Sequence, residues 1–231
     1  MIEKILPPQV AVVEAFSDPV DAALFPGEEE LIRNAVESRR KEFITARWCA
    51  RRALGVLGIA PVPILKGERG APIWPEGVVG SMTHCAGYRA AAVARREDLL
   101  SVGMDAEPHE PLPDGVHETI ALPAEQQRER ELRRTAPEIR WDRLLFSAKE
   151  SVYKAWFPLT HRWLGFEQAD IVLHSDGTFT ADLLIPAADP DPVPPGGATS
   201  TPTGFRGRWL AADGLVATAI AVENEPDTPT R

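Results

Sequence analysis

The 231-residue chain carries 34 acidic side chains against 25 lysines and arginines, a formal net charge of −9, and is 44% hydrophobic. This is enough length and apolar content for one large or two small domains with a real core, while the acidic excess argues against a nucleic-acid binder, whose contact face is normally basic. Two cysteines, Cys49 and Cys85, make no disulfide scaffold, and a reduced cytoplasmic setting is expected. The opening MIEKILPPQV is too short, too charged and too proline-broken to be expected to act as a secretory signal, and no apolar run approaches a membrane span. No membrane and no nucleic acid are therefore expected among its partners.

In chain order, residues 28–58 read as one helix, ended by Gly55 and Gly58. Its SRRKEFITARWCARRA stretch concentrates Arg39, Arg40, Arg47, Arg51 and Arg52 into an expected basic surface on an otherwise acidic protein, suited to an anionic ligand. The Gly- and Pro-rich 64–77 reads as loop, and its KGERG would let backbone amides approach a phosphate while Lys66 and Arg69 supply charge. Three strands follow, 78–84, 89–95 and 99–107, as a small meander. A second helix over 141–157 precedes two hairpins turning at Ser-Asp-Gly within 169–185 and Asp-Gly within 205–223. The Pro-rich 186–204 is expected to be a mobile surface loop, and the tail from Glu223 disordered. Helix then antiparallel strands, twice, predicts an α+β protein of two similar lobes.

Three stretches carry chemistry. In GMDAE, Asp105 and Glu107 alternate with Met104 and Ala106, so both carboxylates share one face of a strand, where they repel unless a cation lies between them. Mg²⁺, with its oxygen ligands, suits such a pair, although a solvated strand end ahead of Pro108 would look the same. In FSAKESVYKAW, residues 146–156, the 100° helical step puts Arg143, Ser147 and Lys154 within about 60° of Glu150, opposite an apolar face of Trp141, Leu144, Leu145, Ala148, Val152, Ala155 and Trp156. On periodicity alone, Glu150 and Lys154 read as a surface i,i+4 ion pair. In GSMTHC, His84 and Cys85 are neighbours on a strand and point to opposite faces, which argues against a Cys–His dyad.

The order Lys66-Gly67, Gly80 to His84, Gly103 to Glu107 and Lys149-Glu150 to Lys154 resembles the 4′-phosphopantetheinyl transferases, of the two-lobed, single-chain Sfp type. The most specific elements are GMDAE and FSAKESVYK, similar to that family's Gly-x-Asp-x-Glu and Trp-x-x-Lys-Glu-x-x-x-Lys signatures, with Phe146 in place of the Trp. The resemblance implies two pseudosymmetric α/β lobes, residues 1–102 and 103–231, each a small antiparallel sheet packed with a long helix, with the active site in the cleft between them. It implies transfer of the phosphopantetheine arm of coenzyme A to a serine of an apo acyl or peptidyl carrier protein, releasing adenosine 3′,5′-bisphosphate, by a monomer. Asp105, Glu107 and Glu150 would hold Mg²⁺, or Mn²⁺ in its place; Glu150 would also take the serine proton, and Lys154 with Lys149 would stabilise phosphate charge. Arg39, Arg47, Lys66, Gly67, Glu68, Arg69, Gly70, Ala71, Thr83, His84, Cys85, Ala86 and Asp105 match positions expected to bind coenzyme A, His84 at the 3′-phosphate. Ala106 cannot coordinate. Read without the resemblance, the same residues also allow a Mg²⁺-dependent nucleotide phosphohydrolase or a noncatalytic binding module.

Overall fold

The computed structural model describes residues 1–185 and 201–224. Expectations for 186–200 and for the tail beyond 224 lie outside the described residues. Glu223, expected to open the tail, is instead the last residue of a strand.

Two antiparallel sheets and several helices make up the fold. The first sheet has the order β1-β3-β2, from β1 (Ala11–Ala15), β2 (Val78–Cys85) and β3 (Tyr88–Arg95). The second has the order β4-β8-β7-β6-β5, from β4 (Leu99–Pro108), β5 (Ala169–Leu173), β6 (Thr178–Leu183), β7 (Gly204–Ala212) and β8 (Leu215–Glu223). The β7–β8 turn places Asp213 at φ 53° and Gly214 at φ 75°, the paired positive φ values of a type I′ turn that the Asp-Gly sequence favours.

The strands after the first helix were expected to form one meander, and the structure corrects this. β4 leaves β3 and pairs along its length with β8, from Leu99 opposite Glu223 to Pro108 opposite Leu215. Strand periodicity says which residues share a face but not which distant strand supplies the ladder.

A second correction concerns residues 28–58. Only Glu37–Val56 is α-helix (α1); Glu29–Ile32 is a 3₁₀ turn, and Val36 is extended. Glu28 explains the break. Its fully buried carboxylate accepts the N–H groups of Phe25 and Ile64, both at 2.8 Å, and pairs with Arg51 at 2.9 Å. A residue bound to three separate segments cannot lie on the outer face of a continuous helix.

α1 buries Phe43, Ala46, Ala50, Ala53 and Leu54, a helical stripe, and packs Cys49, Ala50, Ala53 and Leu54 against Ala91 and Val93 of β3. The other face of β3, Ala90, Ala92 and Ala94, meets Val102, Met104 and Ala106 of β4 together with Ala217 and Ala219, so small residues let the two sheets approach closely. Beyond the second sheet lies α4 (Trp141–Thr160), whose Trp141, Leu144, Ala148, Val152 and Trp156 pack on Ile171, Phe179, Trp209 and Ile220. Phe146 packs against Phe166, ring centroids 6.0 Å apart, so an aromatic ring is retained there.

Gly103 sets how near α4 comes to β4. A Cβ there would overlap the Ser151 carbonyl oxygen and lie 2.6 Å from the Ala155 amide nitrogen. The glycine two residues before Asp105 is thus a packing requirement that brings the acid beside α4.

Two stretches without a clear sequence signal also form elements: β1, and the pair α2 (Val116–Ile120) and α3 (Pro123–Thr135). Among the described residues no helix is long and apolar enough to cross a membrane.

Candidate active site

A cavity of about 910 Å³ is lined by α1, the 66–77 loop, β2 and the C-terminal half of α4. One end is basic. Arg39 and Arg47 come from α1, Lys66 from the loop and His84 from β2, with Phe43 among them. The Arg47 guanidinium carbon lies 3.3 Å from the Phe43 ring centroid, and Lys66 Nζ lies 5.6 Å from it. Arg47 Nε donates to the Ile64 carbonyl at 2.8 Å.

Charge crowding here is visible in the ionisation. Burial pushes Arg47 down to about 10, against the attraction of Glu28, and Arg51 and Arg39 push the same way. Lys66 is lowered by burial and then by Arg39 and Arg47. His84, in contact with Arg39 and 3.3 Å from Glu42, is pushed down to about 4 by burial and then Arg39, so it is neutral at pH 7. Burial is the main cause at Arg47, Lys66 and His84, and neighbouring cations add to it.

The loop lines the cavity in a different way from that expected. Lys66 bridges to Pro72, Gly67 N–H donates to the Ala71 carbonyl at 2.7 Å, Gly70 N–H to Gly67 at 3.2 Å, and Ala71 N–H to Glu68 at 3.0 Å. With Arg69 at φ 51° and Gly70 at φ 81°, the glycine serves the turn. These three amides are engaged inside the loop and not presented to a ligand. Glu68 and Arg69 instead reach across to the end of α4, Glu68 lying 3.6 Å from His161 and Arg69 over the Trp163 ring at 5.4 Å.

At the other end, of the three expected carboxylates only Glu150 lines the cavity; Asp105 and Glu107 on β4 are not among its lining residues, and Asp105 meets it through Lys154. Glu150 and Lys154 line the cavity from α4, and Lys154 Nζ donates to Asp105 Oδ1 at 2.7 Å. The surface i,i+4 pair read from periodicity is thereby corrected: Lys154 turns to the acid on β4, which Gly103 has brought within reach. Asp105 is 4% exposed, and Thr83 also donates to its Oδ1, at 3.1 Å, while Oδ2 is buried with no hydrogen-bond partner. Glu107 is paired with Arg143 at 3.0 Å, yet burial and then the Asp105 charge push it up to about 7. Glu150 is raised by burial, with Lys154 opposing and Asp105 adding.

Among the described residues no group of three or more His, Cys, Asp or Glu side chains is arranged to hold a metal ion. The donor chemistry nonetheless suits a hard cation: the ligands available are oxygens, Asp105 Oδ2 is buried without a donor, and Glu107 and Glu150 are raised by burial first and by the Asp105 charge second.

Several expected site residues are not brought to the cavity. Lys149 is buried on another face of α4, ion-paired to Glu125 at 2.9 Å and donating to the Phe166 and Ala169 carbonyls at 2.7 and 2.8 Å. A cation so enclosed has no free donor direction for a phosphate. Thr83, Cys85 and Ala86 are not among the lining residues; Cys85 is buried, its thiol pushed up to about 12 by burial. The five α1 arginines do not form one basic surface: Arg51 is bound to Glu28, Arg52 to Asp21 at 2.8 Å, and Arg40 to the Ile32 carbonyl at 2.8 Å.

Tyr153, Phe157 and His161 also line the cavity and escaped the sequence reading. Tyr153 and Phe157 stand at i+3 and i+7 from Glu150 on one helical face, so the periodicity was there to be followed further along the chain, whereas His161 is the left-handed residue that ends α4.

A cavity that joins Arg39, Arg47 and Lys66 to Glu150 and Lys154 suits an anionic ligand. Sequence relatives agree. A family model for the 4′-phosphopantetheinyl transferase N-terminal domain matches residues 27–94, and one for the 4′-phosphopantetheinyl transferase superfamily matches residues 101–192. The chain is 53% identical over 230 residues to 4′-phosphopantetheinyl transferase Npt of Nocardia iowensis, covering 96% of this chain and 99% of that one. It is 52% identical over 226 residues to 4′-phosphopantetheinyl transferase Svp of Streptomyces mobaraensis, covering 96% and 89%. It is 49% identical over 234 residues to 4′-phosphopantetheinyl transferase PptT of Mycobacterium tuberculosis, covering 96% and 98%. The chain belongs to the 4′-phosphopantetheinyl transferases, and is an enzyme of that class.

Proposed function

We propose that this transferase moves the 4′-phosphopantetheine arm of coenzyme A onto a serine of an apo acyl or peptidyl carrier protein, releasing adenosine 3′,5′-bisphosphate. The observation that carries the reading is the single cavity lined at one end by Arg39, Arg47, Lys66 and His84 and at the other by Glu150 and Lys154. Coenzyme A has phosphate groups for the first end and a scissile pyrophosphate for the second.

The basic end would bind the phosphates of the nucleotide half, His84 meeting the 3′-phosphate as a neutral donor beside Arg39. Lys154 would stabilise charge on the nonbridging oxygens, and Glu150 would accept the serine proton as the serine oxygen bonds to phosphorus and the bond to the bisphosphate breaks. Asp105, Glu107 and Glu150 would hold Mg²⁺, which when bound supplies charge neutralisation at the pyrophosphate. Lys149, enclosed by Glu125 and two carbonyls, serves α4's seat on β5 rather than the phosphates.

The two sheets, each with a long helix, support a reading as two pseudosymmetric lobes with the site in the cleft between them, although the boundary expected between residues 1–102 and 103–231 falls inside β4, which pairs with β8 from Leu99 onward. The reading takes the protein as a monomer, and the buried free cysteines support a cytoplasmic setting. The test is incubation with coenzyme A, Mg²⁺ and a panel of apo carriers. Carrier mass rises by one phosphopantetheine if the reading holds, and unchanged mass across acyl and peptidyl carriers overturns it. Free phosphopantetheine without an acceptor would mark a hydrolase instead.

A further inference from the structure

The two sheets meet where β2 and β4 run alongside each other in the same direction, without a backbone ladder between them. Two β2 hydroxyls replace it. Ser81 Oγ accepts the Met104 N–H at 3.2 Å, and Thr83 Oγ1 accepts the Ala106 N–H at 3.1 Å. Both side chains are at least nine-tenths buried. Thr83 does one thing more: its hydroxyl donates to Asp105 Oδ1. Lys154 donates to that same oxygen, and nothing donates to Oδ2, which is buried.

We propose that Thr83 is a positioning residue that, by holding Asp105 Oδ1 from across the sheet seam, leaves Oδ2 as the oxygen presented to the divalent cation. The inference rests on the functional reading above in taking Asp105 as a cation ligand. The geometry is economical in donors. One hydroxyl, with its acceptor side bound to Ala106 N–H, has a single proton to give and one direction to give it, so the carboxylate is fixed in rotation as well as position. It also reassigns Thr83, whose resemblance to a coenzyme A-binding position predicts a contact with that ligand. With its one proton committed to Asp105, the hydroxyl has none to give a phosphate, and its link to the site runs through Asp105.

The test measures Mn²⁺ affinity by titrating the free-ion electron spin resonance signal in the presence of coenzyme A, alongside metal-free coenzyme A affinity and thermal melting. Thr83→Val keeps the shape and removes the hydroxyl; Mn²⁺ affinity is expected to fall by about 10–100-fold, with metal-free coenzyme A affinity unchanged. Thr83→Ser restores Mn²⁺ affinity to within about threefold of wild type, since it returns the hydroxyl. Ser81→Ala, which removes the other seam hydroxyl but no donor to Asp105, leaves Mn²⁺ affinity unchanged. Should Thr83→Val not melt cooperatively, Thr83→Cys, a poorer donor of similar size, takes its place. Wild-type Mn²⁺ affinity in Thr83→Val overturns the inference, as does a Thr83→Ser variant as weak as the valine, or an equal loss in Ser81→Ala, which would make seam stability the cause. A fall in metal-free coenzyme A affinity in Thr83→Val would restore the direct contact and overturn it too. These results leave the transferase reading standing; a wild-type protein that takes up no Mn²⁺ overturns the inference by removing Asp105 as a cation ligand, while the transfer itself stands or falls on carrier mass.

Discussion

The basic and the carboxylate ends of the cavity differ in how their charges are balanced. At the basic end Arg39 pairs with Glu42 and Arg47 lies 3.9 Å from Glu28, and burial first and neighbouring cations second lower Lys66 and Arg47. At the other end each acid has a base to hand, Asp105 with Lys154 and Glu107 with Arg143, yet Glu107 and Glu150 remain raised and Asp105 Oδ2 unpartnered. Each end is therefore incomplete with opposite sign. A ligand that brings anionic groups to one and accompanies a cation at the other completes both, which neither end taken alone would suggest.

Breaking the carboxylate end should have the larger consequence, because the chemistry is proposed there. Glu150→Gln is expected to lower kcat/KM for carrier modification by about 10²–10⁴-fold, with the melting temperature and coenzyme A affinity little changed; carrier mass spectrometry reads it. Wild-type turnover would remove Glu150 from the proton transfer.

Lys149 sharpens the contrast from outside the cavity. Lys149→Met strands the buried Glu125 carboxylate, and stability measured by urea denaturation should fall by about 3–5 kcal/mol. A stable variant with weakened coenzyme A binding would instead return Lys149 to the phosphate-binding group.

At the basic end, Lys66→Ala is expected to weaken coenzyme A binding about tenfold by calorimetry, the value of one charge-assisted hydrogen bond, and by less at high salt. No change would mean that Lys66 faces away from the bound ligand.

The smallest effect concerns His84, which is faced by Arg39, Glu42, Lys154 and Asp105. Folding depresses it from 6.5 to about 4, so between those values the unfolded chain binds more protons. Its contribution to stability is complete above 6.5 and is lost as pH falls towards 4. Urea midpoints at pH 7 and pH 5 should therefore converge in His84→Gln relative to wild type, and an identical pH dependence in the two proteins would place the acid sensitivity elsewhere.

Much of the fold was legible in the sequence. The three strands after the loop end within a residue or two of their observed limits, because alternation and short Gly- and charge-rich turns mark them. The helix bearing Glu150 and both late hairpins were legible for the same reason. β1 and α3 were not. AVVEA is too short to assert a strand alone, and α3 has only Leu132 as a large apolar residue inside PAEQQRERELRRT, while its buried face carries Glu125, paired with Lys149, and Glu129, paired with His117 and Arg133. In the site, Glu150 and Lys154 could be placed on one helical face, but the same periodicity left it open whether that face met water or a cavity.

By itself the sequence determined the local terms: where strands alternate, where Asp-Gly must turn, which side chains share the Glu150 face, and that Asp105 and Glu107 lie on one side of a strand. Tertiary structure decided the rest. It sent β4 to β8, bound Arg51 to Glu28, enclosed Lys149 with Glu125, aimed Lys154 at Asp105 and set Thr83 behind it. The physical reason is that side-chain direction is a local consequence of backbone geometry, whereas the fate of a charge depends on which distant groups desolvate it or pair with it.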